Sequence, residues 1–197
     1  MSRPTHTLPS TTVISPAIGA VAGMLSAAVL SIGILKLSGV IPAVPVVQLI
    51  APTGQAFALL FVIGLAGTAL RSSTWMQLAT ALNVLGLALG VGVEYLLNFV
   101  LREVSDGVLA DLLAGTAGTA LALTSVVFLL GSLAFAAALW VTGTAPKALV
   151  AGYALGATVV GIRSAVPTPV FLIGLGILAL SMLALSVWMI RRAGSAD

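Results

Sequence analysis

Long apolar segments, nearly free of charged residues, follow one another along most of this chain. Six of them reach or approach the roughly 20 residues that a helix needs to cross a bilayer. Of the 197 residues, 60% are hydrophobic and only 7% are charged, whereas a soluble domain carries about 25% charged residues. Such a chain has too little polar surface to face water on all sides. We therefore predict an all-α fold, a polytopic integral membrane helix bundle.

The apolar segments predict one transmembrane domain over residues 13–192, between a polar N-terminal tail (1–12) and a short C-terminal tail (193–197). Its richness in Ala, Leu, Val and Gly is typical of a GC-rich bacterial genome. We predict six transmembrane helices, of which the fifth is short. Their approximate ranges are 15–37, 54–70, 74–101, 118–141, 147–162 and 169–190.

Two connections have unusual compositions. The segment Gly39–Pro52 is apolar but contains Pro42, Pro45 and Pro52, which disfavour a regular helix. We expect it to form a surface loop, with a re-entrant segment as the alternative. The segment Val104–Gly115 places its apolar residues on one side and predicts a short amphipathic helix at the membrane interface.

The basic residues predict the orientation of the protein in a cell membrane. With both termini in the cytoplasm, five Lys and Arg residues lie on the inner side and three on the outer side, a modest bias in the expected direction. The inner residues are Arg3, Arg71, Lys147, Arg191 and Arg192, and the outer ones are Lys36, Arg102 and Arg163.

Glycines recur four residues apart in three of the predicted helices, at Gly19 and Gly23, Gly86 and Gly90, and Gly152 and Gly156. This spacing allows helix backbones to approach closely. With 21 glycines in an apolar chain, several such pairs are expected by chance. We interpret them as packing positions and not as evidence of a particular dimer.

The third predicted helix carries a polar stripe. At 100° per residue, its members fall within about 100° of one another, and the opposite face is apolar. The stripe consists of Thr80, Asn83, Glu94, Asn98 and Arg102, with Gln77 beside it. A polar stripe of this kind must face other helices or a water-filled cavity rather than lipid. We predict that it lines a vestibule opening to the outer side, with Gly90 and Gly92 leaving space beside Glu94.

Glu94 is the only acidic residue well inside a predicted helix, and two hypotheses account for it. In the first, it is a structural buried acid, bonded to Asn98, Arg102 or a neighbouring helix through Lys36 or Arg163. In the second, its carboxyl is desolvated and can hold or deliver a proton. An intramembrane acid favours a functional role, but its position near the outer end makes burial less costly, so both hypotheses stay open.

Composition excludes several kinds of chemistry. The chain has no cysteine, and its one histidine, His6, lies in the polar N-terminal tail. Thiol nucleophiles, histidine catalysis and histidine metal sites inside the bundle are therefore excluded. The basic residues are too scattered for a nucleic-acid interface. We expect no metal site and no cofactor.

Three functional classes follow from these residues. The leading hypothesis is a membrane-embedded enzyme that cyclises or isomerises a lipophilic, isoprenoid-like substrate. Glu94 would be its general acid, and the residues lining the substrate site or pathway would be Asn83, Tyr95, Asn98, Phe99 and Arg102. This chemistry is similar in logic to that of integral-membrane terpene cyclases. The alternatives are a small proton- or ion-coupled transporter or channel, and a non-catalytic subunit of a membrane complex. The bilayer is the expected partner, and a homo-oligomer or a membrane partner subunit is compatible with each class.

Overall fold

The described part of the chain is all-helical. A computed structural model describes residues 14–42, 44–69 and 73–194, so most of the two predicted tails lies outside the described residues. A π-helical turn at Leu96–Val100 continues α3, and a 3₁₀ turn at Arg163–Ala165 follows α6. The α-helices are α1 (Pro16–Leu37), α2 (Pro45–Gly67), α3 (Thr74–Tyr95), α4 (Asp106–Ala114), α5 (Thr116–Thr142), α6 (Lys147–Gly161) and α7 (Thr168–Ala193).

Five of these helices are long and apolar enough to cross a membrane, which confirms the predicted fold class. They are α1, α2, α3 with its π-helical continuation, α5 and α7. Helix α6 has 15 residues and a length of ~22 Å, less than the ~30 Å hydrocarbon core of a bilayer. It packs between α5 and α7 as a full member of the bundle.

Six helices form a closed ring. Helix α1 packs against α2 and α7, α3 packs against α2 and α5, and α6 packs against α5 and α7. Chain neighbours are therefore neighbours in space, as short connections between antiparallel helices require. Helix α4 stands outside this ring against α5. It is the short helix predicted within Val104–Gly115, and it exposes Val108, Leu112 and Leu113.

The prediction that Gly39–Pro52 forms no regular helix was wrong from Pro45 onward. Helix α2 begins at Pro45 and continues through Pro52, which is buried inside it. Pro45 suits the first helical position, because its fixed φ matches the helix and no N–H is needed there. A proline inside a membrane helix is tolerated because neighbouring helices and side chains satisfy the backbone groups it leaves free. The three prolines therefore do not prevent a helix over the whole segment. Pro45 and Pro52 lie within α2, and only Pro42 precedes it.

Close backbone contacts hold the ring together at several glycines. A Cβ atom on Gly86 would lie 2.6 Å from the Cα atom of Phe128, and one on Gly19 would lie 2.6 Å from the Cα atom of Gly64. A Cβ atom on Gly156 would similarly lie 2.6 Å from the backbone nitrogen of Leu178. These distances leave no room for a side chain, so α3 and α5, α1 and α2, and α6 and α7 touch backbone to backbone. The predicted packing role is confirmed for Gly19, Gly86 and Gly156.

The two ends of the bundle differ in packing. Fully buried large side chains fill the end that contains the C-terminal halves of α2, α5 and α7, among them Leu65, Phe135, Leu139, Leu185 and Met189. At this end Lys147 lies over the ring of Trp140 and Arg192 over that of Trp188. The opposite end, which holds the C-terminal parts of α1 and α3, contains a cavity. We refer to these as the packed end and the cavity end.

Candidate functional site

A cavity of about 350 Å³ lies inside the ring at the cavity end. All six ring helices contribute to its wall, which is mainly apolar. On α1, the lining residues extend from Ser26 to Leu37, a distance of ~17 Å along the helix axis. Phe61, Tyr153 and Met182 line it together with Ser26, where the core of the packed end begins. The cavity thus lies toward one end of the bundle, and mainly apolar residues line its deep part.

The charged lining residues are Lys36, Glu94 and Arg163. Each stands at the cavity end of its own helix or in the turn that follows it. Asn98 and Gln55 add neutral polar groups to the same wall. Fields are strong in a cleft with low-dielectric walls, so these groups set the charge that an occupant of the cavity meets.

Glu94 and Asn98 form one hydrogen-bonded unit at the end of α3. The Asn98 side-chain amide donates to the main-chain oxygen of Glu94 (2.8 Å) and to its carboxylate oxygen Oε2 (3.0 Å). Asn98 belongs to the π-helical turn, in which the Leu101 N–H reaches back to the Leu96 carbonyl. Such turns are rare in proteins, but those that occur are often found at functional sites.

Lys36 joins this unit from α1. Its ammonium nitrogen donates to Oδ1 of Asn98 across 3.1 Å, so the amide links the ammonium of Lys36 to the carboxylate of Glu94. Helices α1 and α3 lie on either side of α2, so this contact spans the mouth of the cavity in front of α2. The contact between Glu94 and Asn98 is one that the structural-acid hypothesis predicted.

Arg163 approaches the mouth from the opposite side of the ring. It belongs to the 3₁₀ turn after α6, and its guanidinium lies 5.1 Å from the centre of the Phe171 ring at the start of α7. A cation over an aromatic face is attracted by the negative potential of the ring. Phe171 also lines the cavity, so this pair forms one rim of the mouth.

Asn83 is fully buried at 0% exposure and lies outside the set of cavity-lining residues. Its amide nitrogen donates to the Tyr153 hydroxyl (3.0 Å), and its amide oxygen accepts from the Ser132 hydroxyl (3.2 Å). The network joins α3, α5 and α6 beneath the cavity. Tyr153 itself lines the deep wall, so Asn83 positions a lining residue without being one.

The aromatic residues that the sequence associated with Glu94 lie on another face of α3. Tyr95 and Phe99 stack on each other with ring centres 5.6 Å apart. They line an outer groove with Gly92 and Leu49, and Tyr95 is 52% exposed. Tyr95 is one residue from Glu94, and a step of 100° turns it away from the cavity. Arg102 follows the π-helical turn as an exposed residue.

The structure therefore brings together two of the six predicted site residues, Glu94 and Asn98, with Lys36 and Arg163. Sequence reasoning missed Gln55 and Ser26. Gln55 is the eleventh residue of α2. The sequence pattern places it at the start of the second predicted helix, because the residues before it are expected to form a loop. Among the described residues, no group of three His, Cys, Asp or Glu side chains could hold a metal ion.

Comparison of this chain with protein-family models, with curated proteins and with solved structures finds no match. What can be said of its function therefore depends on the geometry of the cavity.

Proposed function

We propose that this protein binds one lipophilic small molecule inside its helix bundle. The observation that supports the proposal is the cavity of about 350 Å³ with wall residues from all six ring helices. Its volume falls within the range of about 300–1,000 Å³ that is typical of ligand sites, as does its mostly apolar lining with few polar groups. The apolar part of the ligand would occupy the deep end near Phe61 and Met182, and its polar part would meet Lys36, Asn98 and Glu94.

A catalytic role of Glu94, as the general acid of a cyclisation or isomerisation, is compatible with this proposal. The carboxylate oxygen accepts a hydrogen bond from Asn98, whose oxygen in turn contacts the Lys36 ammonium. We propose that Glu94, held in place by Asn98, contacts the polar part of the bound molecule. The transporter class stays compatible with the same cavity.

A cavity-filling substitution tests the proposed binding. Gly33 lines the cavity, and a Cβ atom there would meet no atom within 4 Å. Gly33→Phe is expected to keep the fold while filling the chamber, and to reduce ligand occupancy at least tenfold in native mass spectrometry of protein purified in mild detergent. The matched control is Gly176→Phe on α7, where a Cβ atom also meets no atom but the residue does not line the cavity. Equal occupancy in both variants would contradict the proposal.

A further inference from the structure

The charges at the mouth of the cavity discriminate between classes of ligand. Lys36 and Arg163 carry positive charge, and Glu94 carries negative charge when ionised, so two cations and one anion give a formal sum of +1. These are the charged residues of the lining within the described ranges. A molecule that occupies the cavity therefore has apolar side chains around its deep part and a net positive charge at the mouth.

Within the described part of the chain, both cations contact neutral groups. Lys36 donates to the amide oxygen of Asn98, and Arg163 lies over the ring of Phe171. An ammonium has three N–H donors and a guanidinium five, so each cation retains donors beyond these contacts. Neither cation is in a direct ion pair with a described carboxylate, so each can form charge-assisted hydrogen bonds with an incoming anion.

Glu94 is the opposing charge, and its position is fixed. Asn98 holds both its main-chain oxygen and its carboxylate, and the same amide holds Lys36. Lys36 and Glu94 are thus connected through the side-chain amide of Asn98 and not by a direct ion pair. Glu94 therefore reduces the attraction of the mouth for an anion without removing the ammonium from it.

From this arrangement, and resting on the proposed function, we infer that the ligand is an anionic amphiphile. Its head group is an oxyanion, phosphate or carboxylate, received between Lys36 and Arg163 at the two sides of the mouth. Its tail is a lipophilic chain that occupies the chamber toward Ser26 and Met182. Charge-assisted hydrogen bonds from Lys and Arg are the contacts that recognise such head groups.

Binding of decyl phosphate to the full chain in phosphatidylcholine nanodiscs tests this inference, with empty nanodiscs as the blank. Lys36→Met is expected to weaken binding about tenfold or more, since it removes a charge-assisted contact at a half-buried site. Arg163→Met is expected to weaken it about two- to fivefold, because Arg163 is exposed and more strongly screened. Glu94→Gln is expected to tighten it, because the opposing charge is lost. Lys147→Met removes a cation at the packed end and should leave binding unchanged.

Three probes separate the possible outcomes. Decyl phosphate binding more tightly than decanol, with inorganic phosphate much weaker than either, supports an anionic lipid. Decanol equal to decyl phosphate in every variant would overturn the anionic head group while leaving the proposed lipophilic cavity intact. Inorganic phosphate equal to decyl phosphate would overturn the lipid and indicate a site for a free anion. If neither decyl compound binds, both the inference and the proposed function fail. Weaker binding of decyl phosphate by Glu94→Gln would show that Glu94 does not oppose the anionic head group and would overturn the inference.

Discussion

Replacing Gly86 by leucine is expected to lower the free energy of unfolding by about 3 kcal/mol or more, because the new side chain would collide with the backbone of α5. A Cβ atom at this position would lie 2.6 Å from the Cα atom and 2.9 Å from the nitrogen of Phe128. No rotamer change can relieve such a contact, so α3 and α5 must separate. Unfolding in detergent micelles by titration with sodium dodecyl sulfate, followed by circular dichroism, measures the loss.

Gly92→Leu is the matched control for this experiment. Gly92 lies on the same helix, and a Cβ atom there meets no atom within 4 Å. Its stability is expected to equal that of the wild type or to rise, since leucine exceeds glycine in helix propensity by about 0.8 kcal/mol. Wild-type stability of Gly86→Leu would show that α3 and α5 do not cross at this point.

The second large effect is expected for Asn83→Leu, with a loss of about 2–4 kcal/mol. The substitution removes the amide that bonds both Ser132 and Tyr153 and leaves hydroxyl groups in a buried apolar setting. Interhelical hydrogen bonds in membrane proteins contribute about 0.6–2 kcal/mol, and a stranded buried polar group adds about 1–3 kcal/mol. The same unfolding titration measures this loss.

Two further variants show whether the Asn83 network causes the effect. Thr80→Val, one turn earlier on α3, removes a hydroxyl that bonds only within its own helix, to the Met76 carbonyl, and should cost less than about 0.5 kcal/mol. Adding Ser132→Ala and Tyr153→Phe to Asn83→Leu removes the stranded hydroxyls and should recover part of the loss. If the triple variant is no more stable than Asn83→Leu alone, the loss arises from packing and not from the hydrogen bonds.

The fold class and most helix positions followed from the sequence because hydrophobic length is a local property. Helix α2 is the exception, and the reason is physical. Pro45 and Pro52 disfavour a helix in water, but Pro45 occupies the first position of α2 and Pro52 is buried against the bundle. Only the tertiary arrangement shows which neighbours compensate a proline, and a sequence does not contain that information directly.

The candidate site was predictable in part. The stripe on α3 identified Glu94 and Asn98, since both lie on the face that the ring encloses. The same stripe placed Asn83 with them, although the cavity ends above Asn83 and the core of the packed end begins there. Where a cavity begins and ends depends on the side chains of five other helices, here Phe61 and Tyr153 in particular. The partners Lys36 and Arg163 could be named from the sequence only as candidates, because their approach depends on the ring order.

The central claim is that the bundle holds an amphiphile in its interior rather than only facing lipid on its exterior. Labelling by a decyl phosphate probe that carries a photoreactive diazirine at its chain end tests this most directly. We expect saturable labelling, at one probe per chain, of cavity-lining residues near Ser26, Phe61 and Met182, and its loss in Gly33→Phe. The account would be contradicted by labelling that increases linearly with probe concentration, occurs on lipid-facing residues such as Ile173 and Leu180, and is the same in Gly33→Phe.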